Sequence, residues 1–149
     1  MISKSQIKQL SSLHLKKNRD KERLFIAEGA KMVHELLHST FKVNALYAVD
    51  EWAEKHAGPA AKKGVEIYTV SDAELEKISV LTTPQQVLAV VSMPGHEIEL
   101  TTLMNKLTIL LDDVKDPGNL GTIIRTAYGL GADAVVAVEG VDPWVRHHN

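Results

Sequence analysis

The chain has 149 residues, 44% of them hydrophobic and 24% charged, which allows one domain or one and a half of an ordinary soluble globular protein. It has no cysteine, which excludes disulfides and thiolate metal sites, and no apolar run near the roughly 20 residues of a membrane span. The N-terminus carries Lys4 and Lys8 but no apolar signal core, so a cytoplasmic protein without membrane contact is expected.

The net charge of −2 is unevenly spread. Residues 1–23 hold seven lysines and arginines against Asp20 and Glu22, a balance of +5, which leaves −7 for the remainder. A basic end on an acidic body is the footprint of a nucleic-acid binder, and equally that of a solvated basic helix and loop.

In chain order, Ser3 or Ser5 caps a first helix with Ile7, Leu10 and Leu13 inward, ending near His14. Lys16 to Arg23 reads as a polar loop. Leu24 to Ala27 is a short strand. Glu28-Gly29 places a carboxylate at the start of a helix running from Ala30 to His38. A strand over Val43 to Val49 is followed by a short helix, Asp50 to His56, closed by Gly58-Pro59. Glu66 to Val70 is a strand, and Ser71 to Glu74 is a capping box opening a helix to about Ile78. Val87 to Met93 is a continuous apolar strand. This alternation predicts an α/β fold with a largely parallel sheet. Pro94 to Glu99 reads as a linker, and Thr101 to Asn105 as one helical turn. His34 and His38 have metal-ligand spacing, but no third ligand is near, so no metal is expected.

The stretch Leu107 to Leu130 is the most informative. Leu107 to Leu111 reads as a buried strand, Asp112 to Gly118 as a polar turn, and Asn119 as the N-cap of a helix that Gly131 closes. Leu120, Ile123, Ile124, Ala127 and Leu130 form its apolar stripe. Ala134 to Val138 is a second strand, completing a βαβ unit. Ligands of such sheets sit beyond the carboxyl ends of the strands, which makes the Asp112–Asn119 turn the first candidate site. Arg125 lies opposite the apolar stripe and is either a solvated arginine or one aimed at a phosphate or reacting oxygen.

Asn119-x-Gly121-xxx-Arg125, preceded by Asp116-Pro117-Gly118 and an apolar strand ending in Asp, resembles motif 1 of the SpoU (TrmH-like, SPOUT superfamily) RNA ribose 2′-O-methyltransferases. Lys17-x-Arg19, Phe25-xx-Glu28-Gly29 and Thr83-Pro84-Gln85 resemble the substrate-binding domain that precedes the methyltransferase domain in many members. The resemblance implies methyl transfer from S-adenosylmethionine to a ribose 2′-hydroxyl of tRNA or rRNA, with Arg125 catalytic and Asn119 its partner in the site. It implies a small α/β/α domain over residues 1–94, similar to kink-turn-binding ribosomal proteins, then a linker over 95–105. The first βαβ portion of an α/β-knot domain would occupy 106–149. Lys16, Lys17, Arg19, Arg23 and Gln85 are the implied RNA contacts. A homodimer is usual in the family.

The family's further motifs, which build its cofactor site, are not in this sequence. Truncation near Val145 to Asn149 is therefore expected, and residues 1–149 alone are expected to be inactive. Two other readings stay open: an RNA-binding module with a degenerate catalytic domain, and an unrelated nucleotide-binding protein using Gly118-xx-Gly121.

Overall fold

The computed structural model describes residues 2–95 and 99–138. The expectations for Glu97, Ile98 and Val145 to Asn149 fall outside them. The chain divides into two units, Met1–Pro94 and Gly95–Asn149.

Unit 1 contains α1 (Lys4–Ser12), α2 (Lys16–Glu22), β1 (Leu24–Glu28), α3 (Ala30–His38), β2 (Val43–Ala48), α4 (Asp50–Lys63), β3 (Ile67–Thr69), α5 (Asp72–Ile78) and β4 (Val87–Ser92). Two of its helices begin in complete capping boxes, Ser3 with Gln6 and Ser71 with Glu74. In each, the serine hydroxyl takes one otherwise unpaired helix N–H and the N3 side chain takes the N–H of the cap.

The sheet order is β1-β4-β2-β3. β2 and β3 are parallel, while β4 runs antiparallel to both neighbours. The expectation of a largely parallel sheet is corrected here. β1, β2 and β3 do point the same way, as their crossover helices require, but β4 inserts between β1 and β2 in reverse. Two of the three ladders are therefore antiparallel. β4 is the central strand, and Val87 through Val91 are all buried, which explains its unbroken apolar run.

One face of the sheet packs on α1 and α5 in a cluster of Leu10, Leu13, Ile26, Tyr47, Leu75, Ile78, Leu88 and Val90. α3 and α4 cover the other with Val33, Leu36, Leu37, Trp52 and Ala60. The unit is thus a three-layer α/β/α sandwich.

Two further expectations are corrected. Residues 16–22 form a helix rather than a loop. α4 does not stop at Gly58-Pro59 but continues through both to Gly64, whose positive φ of 70° closes it. Proline removes one hydrogen bond inside a helix. Burial of Trp52 before it and Ala60 after it outweighs that loss.

In unit 2 a 3-10 turn, Leu100–Leu103, leads to β5 (Thr108–Leu111), α6 (Pro117–Gly129) and β6 (Ala134–Ala137). β5 and β6 pair in parallel through Ile109↔Val135 and Leu110↔Val136, the expected βαβ unit. Leu111 and Leu120 are buried together, with Ile109, Val114, Ile123 and Val135 packed around them.

Candidate functional site

The turn between β5 and α6 lies at the carboxyl ends of two parallel strands, where α/β sheets present ligand sites. α6 begins one turn earlier than Asn119. Asp116 is the N-cap, its Oδ2 accepting from the Asn119 N–H at 2.7 Å, and Pro117 opens the helix. Proline suits the first helical position because the N–H it lacks would be unpaired there. The expected N-cap role of Asn119 therefore belongs to Asp116. The Asn119 backbone is held by the cap and its side chain is exposed. A Cβ on Gly118 would stand 3.0 Å from Asp116 Oδ2, so a glycine there leaves room for the capping carboxylate.

At its far end α6 closes in a Schellman motif. Gly131 has φ 79°, its N–H donates to Tyr128, and the Ala132 N–H donates to Ala127. Between the two ends, Leu120, Ile123 and Ala127 turn inward, and Arg125 is exposed on the opposite side. Arg125 is the only charged residue of α6. It lies six positions after Asn119, about 9 Å along the axis and about 120° around it. The two side chains therefore flank a space rather than share one point. Asp112 and Asp113 are exposed in the turn, Asp113 with φ 53° and a contact to Lys115 at 3.2 Å.

S-adenosylmethionine is the methyl donor of SpoU enzymes. The turn 112–119 is exposed at every position except half-buried Val114 and Pro117. These residues do not enclose a nucleoside, and none is assigned to the donor.

In unit 1 the five expected RNA contacts separate. Lys16 and Lys17 are exposed, with Lys16 Nζ 2.7 Å from Asp20 Oδ2. Arg19 departs from expectation. It is only 7% exposed, and its Nη1 donates to the carbonyls of Leu13 at 3.1 Å and His14 at 2.8 Å. It serves the carboxyl end of α1 instead of facing solvent. Helical spacing explains the split, since Lys17 and Lys21 lie about opposite Arg19 on α2. Lys21 was missed because the segment read as a loop, in which no face is defined.

Arg23 caps α2 in the left-handed conformation and donates from Nη2 to the Pro94 carbonyl at 3.0 Å. Gln85 is exposed beside Gly29, with Cγ 3.7 Å from where a Cβ of that residue would lie. Arg23 and Gln85 are at opposite ends of the sheet, since Leu24 pairs with Ser92 while Glu28 pairs with Leu88. Lys16 belongs to the Gln85 end: its neighbour His14 pairs through Nε2 with the Ile78 carbonyl, next to Ser79.

The Glu28 carboxylate is also placed differently from expectation. It accepts from Ser79 Oγ at 2.5 Å and from the Val80 N–H at 3.2 Å, tying β1 to the segment that leads to Thr83-Pro84-Gln85.

An open cavity of about 350 Å³ lies among Leu37, His38, Ser39, Pro59, Lys62 and Lys63. α3 and α4 both end there, and their partial negative charge offsets the lysines, so it is a poor anion site.

Comparison with known proteins bears on both units. Residues 4–89 match the MRM3-like substrate-binding domain, and residues 106–147 match the SpoU rRNA methylase family. The Bacillus subtilis 23S rRNA (guanosine(2553)-2′-O)-methyltransferase RlmP is 38% identical over 134 residues, 90% of this chain and 51% of that enzyme. Human mitochondrial rRNA methyltransferase 3 is 32% identical, over 85% of this chain and 31% of its own length. Among solved structures, a TrmH-family protein of Porphyromonas gingivalis superposes with a TM-score of 0.81 at 34% identity, covering 97% of this chain and 55% of that one. An rRNA methyltransferase from Sinorhizobium meliloti, solved with AdoMet bound, gives 0.79 at 30% identity with the same coverages. The chain spans about half the length of the bacterial relative.

Proposed function

The chain belongs to the SpoU family of RNA methylases and carries the family's MRM3-like substrate-binding domain, and from that premise we propose that the whole protein methylates a ribose 2′-hydroxyl of ribosomal RNA. S-adenosylmethionine would supply the methyl group. Unit 1 binds the RNA and the β5–α6 turn contributes to the reacting site.

The observation that carries this reading is the strand–turn–helix of unit 2, which exposes Asn119 in the turn beyond the carboxyl ends of β5 and β6 and Arg125 further along α6, on the side away from its apolar stripe. A ribose hydroxyl becomes nucleophilic as it loses its proton, and negative charge builds on its oxygen. Arginine does not deprotonate in proteins, so it is unsuited as the base. A guanidinium instead offers a fixed positive charge and a fork of donors for the developing oxyanion or the adjacent phosphate. Arg125 takes that role. The Asn119 side-chain amide, whose backbone Asp116 fixes, orients the ribose from the other side.

In unit 1, Lys16 and Lys17, together with Lys21, form the phosphate-contacting face, and Gln85 lies toward the Lys16 end of it. Arg23 contributes from the far end of the sheet.

The test is methyl transfer from labelled S-adenosylmethionine to ribosomal RNA by the whole protein. Arg125→Ala should lower kcat by about a hundredfold or more, the scale of losing an oxyanion donor, while RNA affinity changes by less than about threefold. Arg125→Lys should recover little, because one ammonium does not reproduce the fork. Unchanged turnover in Arg125→Ala would remove the residue from the site. A protein that binds RNA but transfers no methyl group with any ribosomal RNA fits an RNA-binding module instead.

A further inference from the structure

Two large apolar side chains of unit 1 stand more than half exposed among its described residues, Leu15 at 55% and Met32 at 52%. Leu15 also breaks a local rule. It is the N-cap of α2, with extended φ −94° and ψ 129°, and makes no side-chain capping bond. Serine or aspartate would satisfy a helix N–H there, and leucine satisfies none.

The turn that carries Leu15 is nevertheless firmly built. Arg19 Nη1 donates to the Leu13 and His14 carbonyls, Asn18 Nδ2 donates to the Ser12 carbonyl at 2.8 Å, and His14 Nε2 pairs with the Ile78 carbonyl at 2.9 Å. The side chains of residues 14, 18 and 19 are all turned inward to hold the backbone. Leu15 alone at the tip points outward, followed at once by Lys16 and Lys17. The ion pair of Lys16 with Asp20 is exposed and is replaced at little cost by a phosphate.

We propose that Leu15 packs on the face of an unpaired base of the substrate RNA while Lys16 and Lys17 meet the flanking phosphates, and that Arg19 is the positioning residue that fixes the turn for this contact. The inference rests on the RNA-binding reading of unit 1. The chemistry is that of single-stranded recognition. An unpaired base exposes a flat, poorly hydrated face, and proteins meet such faces with apolar or aromatic side chains. A paired duplex covers those faces and leaves only phosphates and sugars within reach of the lysines.

Fluorescence anisotropy with the whole protein and two probes tests this: an RNA hairpin with an all-adenosine loop, and a blunt RNA duplex with the same number of phosphates. Leu15→Ala should weaken hairpin binding about five- to tenfold, from the lost apolar contact. It should leave duplex binding unchanged, along with the slope of log affinity against log salt. Leu15→Met should restore the hairpin affinity. Arg19→Lys keeps the charge but not the two-carbonyl clamp. It should weaken hairpin binding at an unaltered salt slope, whereas a residue contacting phosphate would lower that slope by about one. Hairpin affinity within about twofold after Leu15→Ala, or an equal fall for both probes, would overturn the proposal while leaving RNA binding by unit 1 in place. Failure of the unaltered protein to bind either probe would instead remove the RNA-binding reading, and this inference with it.

Discussion

Lys17 and Arg19 lie two residues apart in a basic run and have opposite fates. Lys17 is exposed, while Arg19 is buried against two carbonyls at the end of α1. Neutralising Lys17 or Lys21 should therefore weaken RNA binding and reduce its salt slope by about one each, with no change in stability. Arg19→Ala should instead cost on the order of 2 kcal/mol in urea unfolding, since hydrogen bonds to charged groups are lost inside the fold. A mutant series in which Lys17→Gln and Arg19→Ala behave alike would refute the division. A second residue-level prediction concerns pH. The Glu74 carboxyl is held below its ordinary value of 4.5, first by the Ser71 N–H and further by the Ile2 N–H, against an opposing cost of desolvation. Its ionised form is the one the fold prefers. That stabilisation is complete above the ordinary carboxylate range and is lost as pH falls through the lowered value. Glu74→Gln should flatten the acid limb of stability against pH by lowering the neutral plateau, with stability in acid little changed.

At the scale of elements, legibility followed how local each cause was. α1 and α5 were readable because each has a capping serine and inward apolar residues within its own stretch of sequence, and α3 because of its apolar stripe alone. α2 was not, because its only buried side chain is an arginine, and charge reads as exposure until a partner carbonyl is known. The run of α4 through Pro59 depends on burial of Trp52 and Ala60, which no local signal records. The reversed insertion of β4 is a property of pairing, invisible in a run of valines. In the candidate site, strand, turn and helix were all legible, but Asn119 was given the capping role that Asp116 holds through a 2.7 Å hydrogen bond. That reassignment is testable. Asp116→Ala should destabilise α6 by about 1 kcal/mol, the usual value of a lost cap. Gly118→Ala should do so by a comparable amount by crowding the same carboxylate. Amide hydrogen exchange at Asn119 and Leu120 would report both, and unaltered protection there in Asp116→Ala would show that the cap does not hold the site.

The two units differ in how completely they bury their own apolar surface. Unit 1 covers a four-stranded sheet with helices on both faces, and its central strand β4 is buried from Val87 through Val91. Unit 2, in its described residues, has two strands and one full helix. It leaves Leu107, Leu110, Ile124, Tyr128 and Leu130 exposed, Tyr128 at 86%. Two strands with a single helix bury too little to offset the conformational entropy of ordering them. Residues 1–94 expressed alone should therefore unfold in one cooperative transition in urea and retain salt-dependent RNA binding. Residues 95–149 alone should show weak helical circular dichroism and no cooperative transition. The exposed side chains of β5 and α6 would bind a hydrophobic dye in that fragment and should cease to do so in the whole protein if its further residues cover them. A cooperative transition in the isolated 95–149 fragment would mean that its core, built on Leu111 and Leu120, is sufficient by itself. The Arg125 site would then have to be regarded as preformed in the βαβ unit. Absence of a transition would make the site's geometry a product of the assembled protein, and loss of activity on destabilising unit 2 would follow even from substitutions far from Arg125.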